Sequence, residues 1–207
     1  MLLPARAACL RTARLFVVLL LLTPLWLQAA AAADTAEEPS PGWQPGPEQP
    51  LDLARYMGRW YVVARVPHPV ERGHVASTLD YTLEGSERVA IRYRYRERLD
   101  GGQRVLSLRA RTDADDGHRR WRSWYYRVIP NRTLVLEVAD DYRWALVGQR
   151  GGDMAWILAR EPDMSQAQYH ALSERLADHG YNTDRMRRVV HLPDQVGRLG
   201  FETPPQQ

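Results

Sequence analysis

The sequence predicts an all-β fold: an eight-stranded antiparallel up-and-down barrel with one C-terminal α-helix packed on its outside. Three observations carry this. From Gly58 to Arg160 apolar and polar residues alternate with a period of two, the pattern of strands with one buried face. The alternating runs are separated by hairpin-length turns, so neighbours in sequence are expected to pair as neighbours in space. A helical period follows only after the last run, where Ser165, with Gln168 three residues on, opens a stripe of Tyr169, Leu172 and Leu176.

The first residues stand outside this pattern. Arg6, Arg11 and Arg14 precede an apolar run from Leu15 to Leu27, and small residues follow from Ala29 to Ala33. Basic, apolar and small segments in that order form the layout of a secretory signal peptide. A membrane-spanning helix needs about 20 apolar residues in a row. This run is shorter and is interrupted by Pro24. Residues 1–33 are therefore expected to be a signal peptide, cleaved after Ala31 or Ala33.

Cleavage changes the charge argument. The 207 residues carry 28 basic and 25 acidic side chains, a net +3. Three of the 28 basic residues and none of the 25 acidic ones lie in residues 1–33, leaving 25 of each. A neutral mature chain gives no reason to expect a nucleic-acid partner. The single cysteine, Cys9, lies upstream of the apolar run. The mature chain is thus expected to lack disulfides, thiol nucleophiles and thiolate metal ligands. It also lacks a cysteine where N-terminal acylation would need one. The expectation is a soluble periplasmic protein, with outer-membrane association left open.

Residues 34–50, rich in Pro, Glu and Gly, read as a flexible leader. The folded domain is expected over residues 51–192. Leu53, Tyr56 and Met57 form a helical turn before Gly58, whose backbone freedom suits the start of a strand carrying Trp60. Trp60 to Val66 is the first strand, ended by Pro67 and Pro69. Val75 to Leu83 is the second, and Glu84-Gly85-Ser86 turns the chain. The third is the clearest: Val89, Ile91, Tyr93 and Tyr95 alternate with Arg88, Arg92, Arg94 and Arg96. Asp100-Gly101-Gly102 closes a hairpin into a strand with Leu106, Leu108 and Ala110 on one face. Arg120 to Ile129 follows, with Trp124, Tyr126 and Val128 sharing a face. Pro130-Asn131 is read as the next turn, before a strand with Leu134, Leu136 and Val138. Asp140-Asp141-Tyr142 turns into Ala145-Leu146-Val147, and Gly151-Gly152 into Ala155 to Arg160. The helix stops at Gly180. Met186 to Leu192 is a short final strand, and the tail from Pro193 is expected to be disordered.

Little here supports catalysis. His68, His74, His118, His170, His179 and His191 include no pair at metal-ligand spacing on one element, so no metal site is expected. Asp115-Asp116 and Asp140-Asp141 are adjacent pairs in turns, whose side chains point apart, and supply no general acid and base. Ser77, Ser107 and Ser123 lack a nucleophile elbow. No enzyme activity and no cofactor are expected. The arginine row of the third strand could touch an anionic lipid or a protein, an alternative its solvent-facing position does not favour.

Several stretches together resemble one family. Gly58-Arg59-Trp60, Asp141-Tyr142-Arg143-Trp144-Ala145 and Arg160 fall where the lipocalins carry their three signatures. Ala64-Arg65, Glu71-Arg72-Gly73 and Trp156-Ile157-Leu158-Ala159-Arg160-Glu161-Pro162 resemble the bacterial outer-membrane lipocalins, relatives of apolipoprotein D. The likeness covers residues 53–192. Those bacterial proteins usually carry an acylated cysteine, which this chain lacks. The resemblance implies structural roles for Gly58, Trp60, Asp141, Tyr142 and Arg160: they close one barrel end, with the Arg160 guanidinium stacked on the indole. It also implies a carrier of one lipid, of the fatty acid or lysophospholipid class, serving the cell envelope as a monomer or homodimer. Peripheral membrane contact stays open. The alternative is an enzyme on the same fold, which would need an acid–base pair inside the barrel.

Alternate turns of a meander lie at opposite ends, so Pro67–His74, Leu99–Gln103, Ile129–Arg132 and Arg150–Asp153 are expected at the open end. Eight strands leave room for one small ligand. The residues expected to line it are Ile91, Tyr93, Tyr95, Leu106, Leu108, Trp124, Tyr126, Leu134 and Leu136.

Overall fold

The computed structural model of the chain describes residues 49–125, 129–149, 151 and 154–203. The expected signal peptide, Cys9, most of the expected leader and Tyr126 lie outside the described residues.

Leu53–Tyr56 form a single turn of helix, α1, whose N-cap Asp52 accepts a hydrogen bond from the Arg55 N–H at 3.1 Å. Gly58 then adopts φ +93°, and a Cβ there would also meet Arg160 Nη1 at 3.4 Å. The left-handed region explains the glycine. Strands follow in order: β1 (Gly58–Arg65), β2 (Val75–Leu83), β3 (Arg88–Arg96), β4 (Arg104–Thr112), β5 (Arg120–Tyr125), β6 (Ile129–Val138), β7 (Trp144–Gln149) and β8 (Ala155–Ala159). Each pairs antiparallel with the next, and β1 pairs with both β2 and β8, so the eight strands close. Closure leaves no row of unpaired backbone groups along an open edge.

Helix α2 (Gln166–Asp178) starts where the Ser165 hydroxyl accepts from the Gln168 N–H at 3.2 Å. It ends at Gly180, φ +83°, after which the Tyr181 N–H donates to the Leu176 carbonyl at 3.1 Å. Leu172 and Leu176 pack onto the outer faces of β6, β7 and β8, against Leu134, Leu136, Leu146 and Ile157. The barrel thus buries two separate clusters, one inside the lumen and one beneath the helix. Tyr181 crosses β7 so closely that a Cβ on Gly148 would lie 2.1 Å from its Oη. Strand β9 (Arg187–Arg188) pairs antiparallel with the end of β1.

Two expectations are corrected here. Pro130 and Asn131 are not a turn but strand residues of β6, opposite Trp124 and Ser123. A proline so near the start of a strand is tolerated despite its missing N–H. The tail beyond Pro193 is not disordered over its described part. Pro193–Gln195 form a 3₁₀ turn, and buried Gln195 accepts from the His191 and Leu192 N–H groups at 2.8 and 3.1 Å. Phe201 bridges to Arg188, and Glu202 is buried. Polar pairing orders this segment, and its low apolar content gave no sign of that.

Candidate binding site

One barrel end is closed by Trp60, fully buried on β1. Its indole N–H donates to the Tyr56 carbonyl at 2.7 Å, and Tyr56 packs its own ring 5.0 Å away. Arg160, just past β8, places its guanidinium carbon 3.8 Å from the Trp60 ring centroid. Its Nη1 donates to the Arg59 carbonyl at 2.7 Å, and its Nη2 to those of Arg55 and Met57 at 2.8 and 2.9 Å. Its Nε reaches the Tyr142 carbonyl at 3.3 Å. The cation therefore caps the otherwise unpaired carbonyls at the end of α1 while stacking on the indole. Tyr142, at φ +59°, donates its backbone N–H to the Ala139 carbonyl at 2.8 Å and accepts the Asp52 N–H on its hydroxyl at 3.0 Å. The Asp141 carboxylate accepts from the Arg143 N–H at 3.0 Å, holding the turn. None of these groups faces the lumen as a chemical reagent.

Above this floor is a lumen cavity, partly open to solvent. Ile91, Tyr93 and Leu108 border it, with Val62, Ala110 and Leu158. Leu106 is half-buried against the same inner cluster without bordering the cavity. Tyr95 stands half-buried at the rim, its ring stacked 3.6 Å from that of His74. Three expected lining residues are elsewhere. Trp124 is 43% exposed, because β5 turns Trp121 and Ser123 inward instead. Leu134 and Leu136 are buried beneath α2, while Asn131 and Thr133 of the same strand border the lumen. Strands β5 and β6 each carry large or apolar side chains on both faces, and a shift of one residue exchanges those faces.

The lumen also contains groups that periodicity does not reveal. Trp121 and Trp156 border it, and so does Glu71, from the loop joining β1 and β2. Glu71 is 8% exposed, and its Oε2 accepts the Trp156 indole N–H at 2.9 Å. A buried carboxylate from a loop leaves no trace in an alternating pattern. Near it, Arg65 is fully buried. Its Nη1 donates to the Ser77 and Tyr93 hydroxyls, both at 3.4 Å, and its Nη2 to the His74 carbonyl at 2.9 Å. Its Nε and Nη2 both reach Glu202 Oε2, at 3.1 and 2.8 Å.

Burial governs the titrating groups here. It lowers His74 from the usual 6.5 to about 4, with the Arg65 charge adding to the effect, so this ring is neutral at neutral pH. Burial likewise raises Tyr81 and Tyr93, and in both the Glu71 carboxylate pushes the same way. On the outer surface, Asp80 accepts from Arg59 and Arg94 at 2.8 and 2.5 Å. Burial opposes its ionisation, yet those two guanidiniums hold it below the usual carboxylate range. Part of the arginine row is thus engaged on its own sheet. Among the described residues, no group of three or more His, Cys, Asp or Glu side chains could hold a metal ion. Nor is any helix among them long and apolar enough to cross a membrane.

Comparison with known proteins gives one answer. Residues 51–191 match the family model of the lipocalin-like domain. Temperature-induced lipocalin-1 of Arabidopsis thaliana is 26% identical over 149 residues, 67% of this chain and 78% of its own length. Outer membrane lipoprotein Blc of Vibrio cholerae is 23% identical over 143 residues, 68% of this chain and 82% of its own. The solved structure of insecticyanin from the tobacco hornworm Manduca sexta superposes with a TM-score of 0.57 at 15% identity. It spans 74% of this chain and 89% of that one, a likeness of fold alone. Lipocalins are in general proteins that bind and carry small hydrophobic ligands. The family model spans the whole closed barrel, from Leu51 before α1 to His191 after β9, and the chain belongs to the lipocalin-like family.

Proposed function

We propose that this protein binds one small lipid by its apolar chain inside the barrel, and carries or stores it for the bacterial cell envelope. The observation that carries this reading is the lumen itself. It is a largely apolar, aromatic cavity sealed at one end by Trp60 and Arg160, with the Glu71 carboxylate of the β1–β2 loop on its border. Each methylene taken from water into it would contribute about 0.8 kcal/mol. No bond needs to be made or broken. Glu71 pairs with an indole N–H, not with a base that could share a proton with it. The envelope setting is supported by the signal-like residues 1–33 and by the relatives that are outer membrane lipoproteins of bacteria.

Native mass spectrometry of the protein purified from its own envelope tests this. The expected result is a mature chain beginning between Ala30 and Asp34, with one lipid-sized adduct per barrel. A chain that carries no adduct, and takes up none when offered amphiphiles, would contradict the reading.

A further inference from the structure

We propose that the lumen selects amphiphiles with a cationic head group, and that Glu71 is the residue that selects them. The inference rests on the lipid-binding reading above and deepens it.

Glu71 is a buried carboxylate bordering the cavity, and its side chain has one hydrogen-bond partner, Trp156. No arginine or histidine among the described residues forms an ion pair with it. A buried carboxylate with a single neutral donor is left short of compensation. Its charge is felt nearby, since it contributes to raising the phenols of Tyr81 and Tyr93.

The nearest candidates to neutralise it are otherwise occupied. The Arg65 guanidinium spends its donors on Glu202, Ser77, Tyr93 and the His74 carbonyl. His74 titrates near 4 and is neutral at neutral pH. Arg104 on the rim pairs with Glu97 at 3.2 Å. Arg65 and Glu202 pair with each other, and Glu71 has no ion-pair partner among the described residues. An anionic head group placed beside Glu71 would meet a like charge. An ammonium would meet a carboxylate on the same cavity wall as the rings of Trp156 and Tyr93. A carboxylate with aromatic faces around it is the chemistry that recognises a desolvated cation.

The position fits an amphiphile lying along the barrel. Trp156 stands opposite Arg65 of β1 and Val147 of β7, on the mouth side of Leu158. The apolar residues Ile91, Leu108, Ala110 and Leu158 lie between that level and the Trp60 floor. A chain would run down among them and leave its head beside Glu71.

The test uses three amphiphiles of one chain length, dodecylamine, dodecanol and dodecanoate, displacing the neutral fluorophore N-phenyl-1-naphthylamine at neutral pH. Wild-type protein is expected to bind dodecylammonium at least tenfold more tightly than dodecanoate, a difference of about 1.4 kcal/mol. In Glu71→Gln, which keeps an acceptor for the Trp156 N–H, that ratio is expected to fall to within about threefold while dodecanol binding changes little. Dodecanoate binding as tightly as dodecylammonium to wild type would overturn the proposal and leave the lipid reading intact. An unchanged ratio in a folded Glu71→Gln would overturn the role of Glu71. Should that variant not fold, the wild-type ratio still decides the charge preference. If dodecanol itself fails to bind, the lipid reading falls and the proposal with it.

Discussion

Arg65 and Glu202 are 137 residues apart in sequence and form a buried ion pair at 2.8 Å. Glu202 also accepts the Gly73 N–H at 2.6 Å, in the same loop that carries Glu71. The C-terminal segment, beyond the region matched by the family model, therefore ties down the loop that roofs the lumen.

Glu202→Ala should be strongly destabilising. Removing one partner leaves the Arg65 guanidinium, which has no exposure, without its counter-charge. Losses from breaking a buried pair run at about 3–5 kcal/mol. Chemical denaturation of wild type and Glu202→Ala measures the difference. A loss within the range of exposed pairs, about 0–1 kcal/mol, would mean that the tail does not hold the loop.

Trp60→Ala should cost roughly 3–5 kcal/mol as a large-to-small change in a fully buried position. Arg160→Ala should cost less, through loss of the stacking and of the carbonyl bonds at the end of α1. Because the two groups touch, a double-mutant cycle should give a coupling above ~0.5 kcal/mol. Additive losses would show that the stack contributes nothing to the closed end.

Stability should fall on mild acidification through His74. Its folded-state pKa is depressed from 6.5 to about 4, so the unfolded chain takes up a proton first as the pH drops. The contribution is complete above the unfolded value and is lost progressively between 6.5 and about 4. His191, also lowered by burial, adds to the same trend. Melting temperature against pH should be flatter in this window for His74→Gln than for wild type. Parallel profiles would assign the acid sensitivity elsewhere.

The sequence and the structure agree most where one face of a strand is charged. On β3 the arginines leave a single choice of inside, and Ile91 and Tyr93 border the cavity. On β4, Leu108 and Ala110 do so for the same reason, opposite Ser107, Arg109 and Arg111. The reading fails on β5 and β6, where each face carries a large or apolar side chain and the lumen face holds Ser123, Asn131 and Thr133. There the helix α2 offers a second buried environment outside the barrel, and it takes Leu134 and Leu136. An alternating pattern reports burial and cannot tell which of two cores supplies it. Glu71, Arg65 and Glu202 escaped for a different reason: each is buried by a partner distant in sequence.

Binding of N-phenyl-1-naphthylamine to wild type and to Leu108→Trp tests the central claim, that the lumen is a binding cavity, most directly. Leu108 is 8% exposed and borders the cavity midway along β4. An added indole should fill the space a ligand needs, weakening the probe at least tenfold, about 1.4 kcal/mol, with little loss of stability. Arg92→Ala, exposed on the outer face of β3, should bind as wild type does. If wild type binds no probe and Leu108→Trp loses the ~1–3 kcal/mol typical of overpacking, the lumen is a filled core and the binding account is contradicted.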